Sequence, residues 1–300
     1  MDYQCALLFH GLRTLFGADI VDVHRLWHLY AEEFRDAPER REPLYGRGFT
    51  VSGLLGPDAD VDRTDIEAKI RTRHFDAVIY GSIHRSQMFL PQVLEAYEPQ
   101  DILFIDGEDY PRQIYWPLVN RGLYFKREND GASPALLPIH FAIPPEKIVH
   151  TSAKTQLIAF IDPRDRSTYI YDSEEDYYAD YRRSCFAVTM KKAGWDCLRH
   201  YEIMANRCVP FFIGLDACPA TTMHRFPRYE VWALNHLLQT RGAEFFQTPE
   251  GVAEWQAGVA AIGRFLERHL TTTALARYVV DCWMRARDGG PSRLPWRGML

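Results

Sequence analysis

The sequence predicts an α/β protein in two halves, each a parallel sheet covered by helices. Three observations carry this. Short unbroken apolar runs such as Ile102-Leu103-Phe104-Ile105 and Val209-Pro210-Phe211-Phe212-Ile213 have the composition of strands buried on both faces. Segments with apolar residues at helical spacing alternate with those runs, as crossover connections do. The alternation stops at the loop Ile143-Pro144-Pro145-Glu146 and then resumes, which puts one half in residues 1–150 and a second in 151–285.

The chain opens on Cys5, Leu8, Phe9, Leu12, Leu15 and Phe16 at helical spacing, with Gly17 as the stop. A helix at the start is unusual, because a sheet wound on both faces normally begins with a strand. Ile20–Val23 reads as a strand, His24–Phe34 as a helix, and Phe49–Val51 as another strand closed by Gly53. Asp62 is placed to cap a helix through Arg73, followed by a strand at 76–80, a helix at 87–97, a strand at 101–105 and a strand at 122–128. The second cycle reads as a strand at 157–161, a helix at 172–181, a strand at 185–190, a helix at 198–205 and a strand at 208–214. Three helices follow near 229–240, 249–268 and 271–285, and residues 286–300 read as a loose tail.

Composition limits the function. Of 300 residues 47% are hydrophobic and 25% charged, which excludes a disordered chain. A net charge of -5 argues against a nucleic acid duplex as partner. No apolar run reaches the roughly 18 residues of a membrane span, and the first residues lack a secretory pattern. The six cysteines form no CxxC pair and sit in apolar surroundings, which fits buried thiols and a cytoplasmic location. His24 and His28 share a helix spacing without a third ligand, so no metal site is expected.

Residues that can carry chemistry cluster after strands. Lys191 and Lys192 follow one strand, and Asp196 can cap a helix bearing Arg199, His200 and Glu202. In an open α/β sheet ligands sit beyond the carboxyl ends of the strands. There the lysines and the helix N-terminus can neutralise a diphosphate, and Glu202 can accept from ribose hydroxyls. A solvated lysine pair and a surface glutamate that adds little to the core are the plain alternative. Arg164 and Arg166 follow the strand at 157–161 and suit phosphates. Asp106, Glu108 and Asp109 follow the strand at 101–105 and can supply a general base or hold a divalent cation, with an acidic turn as the plain alternative. His84, after Gly81-Ser82, is the next candidate, with Arg85 beside it and His10-Gly11 a related pair. The tyrosines Tyr169, Tyr171, Tyr177, Tyr178 and Tyr181 can stack on a base or sugar, though packing explains them as well.

Arg199-xx-Glu202-Ile203-Met204-Ala205 followed by Cys208-Val209-Pro210-Phe211-Phe212 resembles the donor-site signature of GT-B-type glycosyltransferases. Tyr124-Phe125-Lys126-Arg127-Glu128 is similar to segments of exostosin-like and related bacterial transferases, and with Asp106-Gly107-Glu108-Asp109 it extends the resemblance over most of the chain. The resemblance implies two Rossmann-like domains facing a cleft, with the acceptor on the N-terminal half and a nucleotide-diphosphate sugar on the C-terminal half. It implies Glu202 on the ribose, Arg199 or Lys192 on the diphosphate, closure that expels water, and no metal cofactor. The acceptor expected is a small molecule, glycan or peptide. Two departures stand out. Retaining enzymes of this kind often carry a second glutamate eight residues before the first, where this chain has Gly194, and the usual glycine before the strand is Arg207. They leave open a nucleotide-binding scaffold without the reaction, or another group transfer on the same cleft.

Overall fold

A computed structural model describes residues 2–42, 44 and 49–289. The expected parallel sheets are present. Seven strands form two of them, β1 (Val78–Tyr80), β2 (Ile102–Asp106), β3 (Leu123–Lys126) and β4 (Leu136–Pro138) in one, and β5 (Gln156–Ile158), β6 (Ser184–Met190) and β7 (Val209–Ile213) in the other. Every pairing is parallel, and each sheet keeps its strands in chain order. The helices are α1 (Tyr3–Phe16), α2 (Glu32–Arg35), α3 (Ile66–Arg71), α4 (Leu90–Ala96), α5 (Trp116–Val119), α6 (Glu174–Arg183), α7 (Leu198–Ala205), α8 (Arg228–Arg241), α9 (Pro249–His269) and α10 (Thr272–Arg287). Among the described residues no helix is long and apolar enough to cross a membrane.

Chain-order strands have a physical consequence. Right-handed crossovers that always step the same way leave all their helices on one face. In the first sheet that face packs Ile102 and Phe104 of β2 against Ile70 of α3, Val93 of α4 and Leu118 of α5. The opposite face, with Leu103 and Ile105, is covered by the opening helix and the last one, through Leu8 and Leu12 of α1 and Leu275, Ala276 and Val279 of α10. This explains the unusual start: α1 is a covering helix. It crosses α10 closely at Gly11, where a Cβ would stand 2.0 Å from the Thr272 carbonyl oxygen. His10 serves the same crossing, with Nδ1 2.9 Å from Thr272 Oγ1 and Nε2 3.2 Å from Glu146. In the second sheet Tyr181 of α6 and Ile203 of α7 pack on Ala159, Ala187 and Cys208. The largest core joins Leu7, Leu29 and Ile143 of the first half to Phe186, Tyr201, Val209 and Leu266 of the second. Packing therefore continues across residue 150.

The segment 17–65 departs from expectation. No strand forms at 20–23 or 49–51, and the helix expected at 24–34 is a 3-10 turn at 27–29 followed by the short α2. Side chains there do the work of a ladder. The Asp22 carboxylate accepts from Leu26 N at 2.9 Å, from Tyr30 OH at 3.2 Å and from Arg63 Nε at 3.0 Å. Arg25 reaches Asp58 at 2.9 Å and pairs with Glu32 and Glu33. Thr50 and Val51 lie in a turn and are fully buried. At the other end α10 continues to Arg287, so the start of the expected tail is helical, and residues 290–300 of it lie outside the described ones.

Candidate functional site

The register of β2 on β3 sets Asp106 directly opposite Lys126 at the carboxyl edge of the first sheet. Asp106 has no exposed surface. Its Oδ1 accepts from Lys126 Nζ at 2.8 Å and from the Glu108 amide at 3.1 Å. Its Oδ2 accepts from Tyr124 OH at 2.7 Å and lies 3.0 Å from His84 Nε2. Burial pushes Lys126 below the usual lysine range, with Asp106 opposing. Burial raises the Tyr124 phenol, and the neighbouring Asp106 adds to it. These donors hold the buried carboxylate in one place. It cannot touch a substrate, whereas the His84 ring is partly exposed at 17%. The expected trio is thus a contact pair, His84 and Asp106, with Glu108 one step out, where its side chain meets Arg85 at 3.4 Å. Asp109 is drawn off to Arg127.

Arg127 and Glu128, just past β3, reach into the second half. Arg127 Nη1 donates to the Asp196 carbonyl at 2.6 Å, and its Nη2 to the Gly107 carbonyl at 2.9 Å. Glu128 accepts from the amides of Trp195 at 2.9 Å and Asp196 at 2.8 Å. The Asp196 carboxylate in turn accepts from the Phe141 amide at 2.7 Å and Tyr201 OH at 2.9 Å, instead of capping α7. Burial pushes its carboxyl up to about 6. Thr222 adds a bond to the Asn129 carbonyl at 2.8 Å. The carboxyl edge of the first sheet is therefore welded to the loop beyond β6, the carboxyl edge of the second. From sequence Asp196 is expected as a helix cap, and Arg127 and Glu128 enter through the resemblance alone; their part in joining the two edges is not among the expectations.

The expected donor-side residues stand on that second edge in different states. Arg164 is exposed and folded back on Asp162, with Nε at 2.9 Å from Oδ1, and Arg166 is exposed. Lys192 donates to the Pro163 carbonyl, and Lys191 lies 5.1 Å over the Trp195 ring. Glu202 is buried, and each of its oxygens holds a hydroxyl of the chain itself: Thr50 on Oε1, and Tyr177 at 2.6 Å on Oε2. Burial raises its carboxyl above the usual range, against these hydrogen bonds. Arg199 differs from all of them. Its Nε is buried without a partner among the described residues, and its guanidinium lies 5.0 Å over the Tyr169 ring. An unsatisfied buried donor of this kind costs about 1–3 kcal/mol, which an anion would relieve. Among the described residues no group of three or more His, Cys, Asp or Glu is placed to hold a metal ion. All six cysteines are free thiols.

Comparison of the chain with protein-family models, with curated proteins and with solved structures finds no match.

Proposed function

We propose that the protein transfers a glycosyl group from a nucleotide-diphosphate sugar to an acceptor hydroxyl, with its two Rossmann-like halves in a GT-B arrangement. The observation that supports this reading is the weld between the two carboxyl edges. It sets the His84–Asp106 pair on one side of a joint and the unsatisfied Arg199 on the other. Ligands of open α/β sheets bind at such edges. Asp106 accepts the Nε2 proton of His84 and so leaves the Nδ1 lone pair as base. The acceptor oxygen attacks the anomeric carbon as its proton passes to Nδ1. The bond from that carbon to the diphosphate oxygen breaks, and the diphosphate leaves with the electron pair. Arg199, the two lysines and the N-terminus of α7 meet the developing charge. Glu202 offers its remaining lone pairs to the ribose. No metal is required for these steps. A cytoplasmic location belongs to the same proposal.

Thermal-shift titration with a panel of nucleotide sugars tests it. At least one should stabilise the protein, and Arg199→Met should weaken that ligand about tenfold or more, the value of a charge-assisted hydrogen bond. If none binds at millimolar concentration, the proposal fails. A second reading, a nucleotide-binding scaffold without turnover, is favoured by one observation: Thr50 and Tyr177 already occupy both oxygens of Glu202. Binding without nucleotide release in the presence of acceptors would select it.

A further inference from the structure

We propose that the loop after β2 is a saccharide shelf, so that the acceptor is a sugar or glycan whose pyranose face lies on Trp116 and Tyr110 beside His84. This rests on the reading of His84 as the base. The loop is held from beneath, because Lys126 Nζ donates to the carbonyls of Glu108 and Gln113, each at 3.2 Å. Its far end is fixed by Tyr124, whose hydroxyl accepts from the Tyr115 amide at 3.0 Å while donating to Asp106. The Tyr115 ring then stands edge-on to His84, with centroids 6.2 Å apart. A backbone pinned by the residues that organise the dyad nevertheless turns large rings outward: Tyr110 is 62% exposed and Trp116 53%.

A pinned loop that leaves Tyr110 and Tyr115 in water, with Trp116 at the start of α5 beyond it, offers aromatic surface that a ligand would cover. Tyrosine and tryptophan pair an apolar face with a polar tip, which suits a molecule with a C–H face and a rim of hydroxyls. Arg112 and Gln113, both exposed and between Tyr110 and Trp116 in the chain, add donors for that rim. The same polar residues interrupt the apolar surface that a protein partner would need, about 800 Å² a side. A pyranose lying on the rings would present one of its hydroxyls at the edge where His84 stands.

The test uses the full chain with cellohexaose, maltohexaose and chitohexaose, read by tryptophan fluorescence and by saturation-transfer NMR. At least one should bind at millimolar concentration. Trp116→Ala and Tyr110→Ala should each weaken that binding about fivefold to tenfold, with a melting temperature unchanged to within about a degree, because both side chains are exposed. The proposal is overturned if none of the three binds, or if binding survives Trp116→Ala. It is also overturned if 4-nitrophenol binds in a Trp116-dependent way and the oligosaccharides do not. Trp116-dependent saccharide binding in a protein without nucleotide affinity would keep the shelf and remove the glycosyl-transfer reading.

Discussion

The Glu128 carboxylate fills the space in front of Gly194, where a Cβ would stand 2.6 Å from Oε1 and 2.8 Å from the carboxyl carbon. Position 194 therefore has no room for a side chain. Glu128 cannot swing away without releasing the amides of Trp195 and Asp196 and the Arg127 guanidinium. Gly194→Ala should therefore cost about 2–4 kcal/mol, the scale of a buried charge stripped of its donors. Urea denaturation measures it. A loss below about 0.5 kcal/mol would mean that the weld is soft.

Glu202 makes a second stability prediction that reverses the expectation from sequence. It is buried and ties Thr50 of the first half to Tyr177 of α6. Glu202→Ala should cost about 1–3 kcal/mol even without any ligand, because it removes the carboxylate that accepts from both the Thr50 and the Tyr177 hydroxyls. Unchanged stability in chemical denaturation would release Glu202 from this role.

Lys126 and Asp106 form a fully buried ion pair. Removing one partner strands the other, so Lys126→Met should cost about 3–5 kcal/mol. Combining it with Asp106→Asn should recover part of that loss, and a double-mutant cycle should return a coupling of about 1–3 kcal/mol. Additive losses would show that the two charges are independently solvated.

Turnover, if the proposed reaction is correct, depends on the dyad. His84→Gln and Asp106→Asn should each lower kcat about a hundredfold or more while nucleotide affinity stays within about twofold. Full activity in both variants would take the base away from the His84–Asp106 pair and pass the role to Glu108.

Acid should unfold the protein early. Burial pushes His28 and His140 down to about 4 and His200 to about 3, whereas an unfolded histidine titrates near 6.5. Between those values the unfolded chain binds more protons, so stability falls as pH drops through 6.5 toward 4. At pH 5 each histidine removes about 2 kcal/mol. Asp196, raised to about 6, works the other way and offsets about 1 kcal/mol of this loss. Denaturation midpoints should therefore drop between pH 7.5 and pH 5, and a flat profile would contradict neutral buried imidazoles.

The parts legible in the sequence are those fixed by local pattern. β2, β6 and β7 are apolar on consecutive residues because both of their faces are covered. α8, α9 and α10 have enough turns for their periodicity to show. Segment 17–65 was illegible because its order comes from pairs far apart in the chain, such as Arg25 with Asp58 and Arg63 with Asp22. β4, at three residues, is too short for any pattern and exists through its pairing with β3. At the site, Asp106 and His84 were readable as polar residues at strand ends. Their contact was not, since it depends on how β1 and β2 are aligned and on the turn that returns His84 over the sheet. Nor was the isolation of Arg199, a property of what its neighbours bond to.

The pairing of α1 with α10 bears on how the molecule comes into being. During synthesis the first sheet can be complete long before Thr272–Arg287 emerges, yet until then the face bearing Leu103, Ile105, Phe125 and Leu137 has only half its cover. A nascent chain in that state exposes a sticky apolar plane and invites chaperones or misassembly. Cutting the gene near residue 150 would not release an independent first half, because the helix that shields it is encoded at the other end.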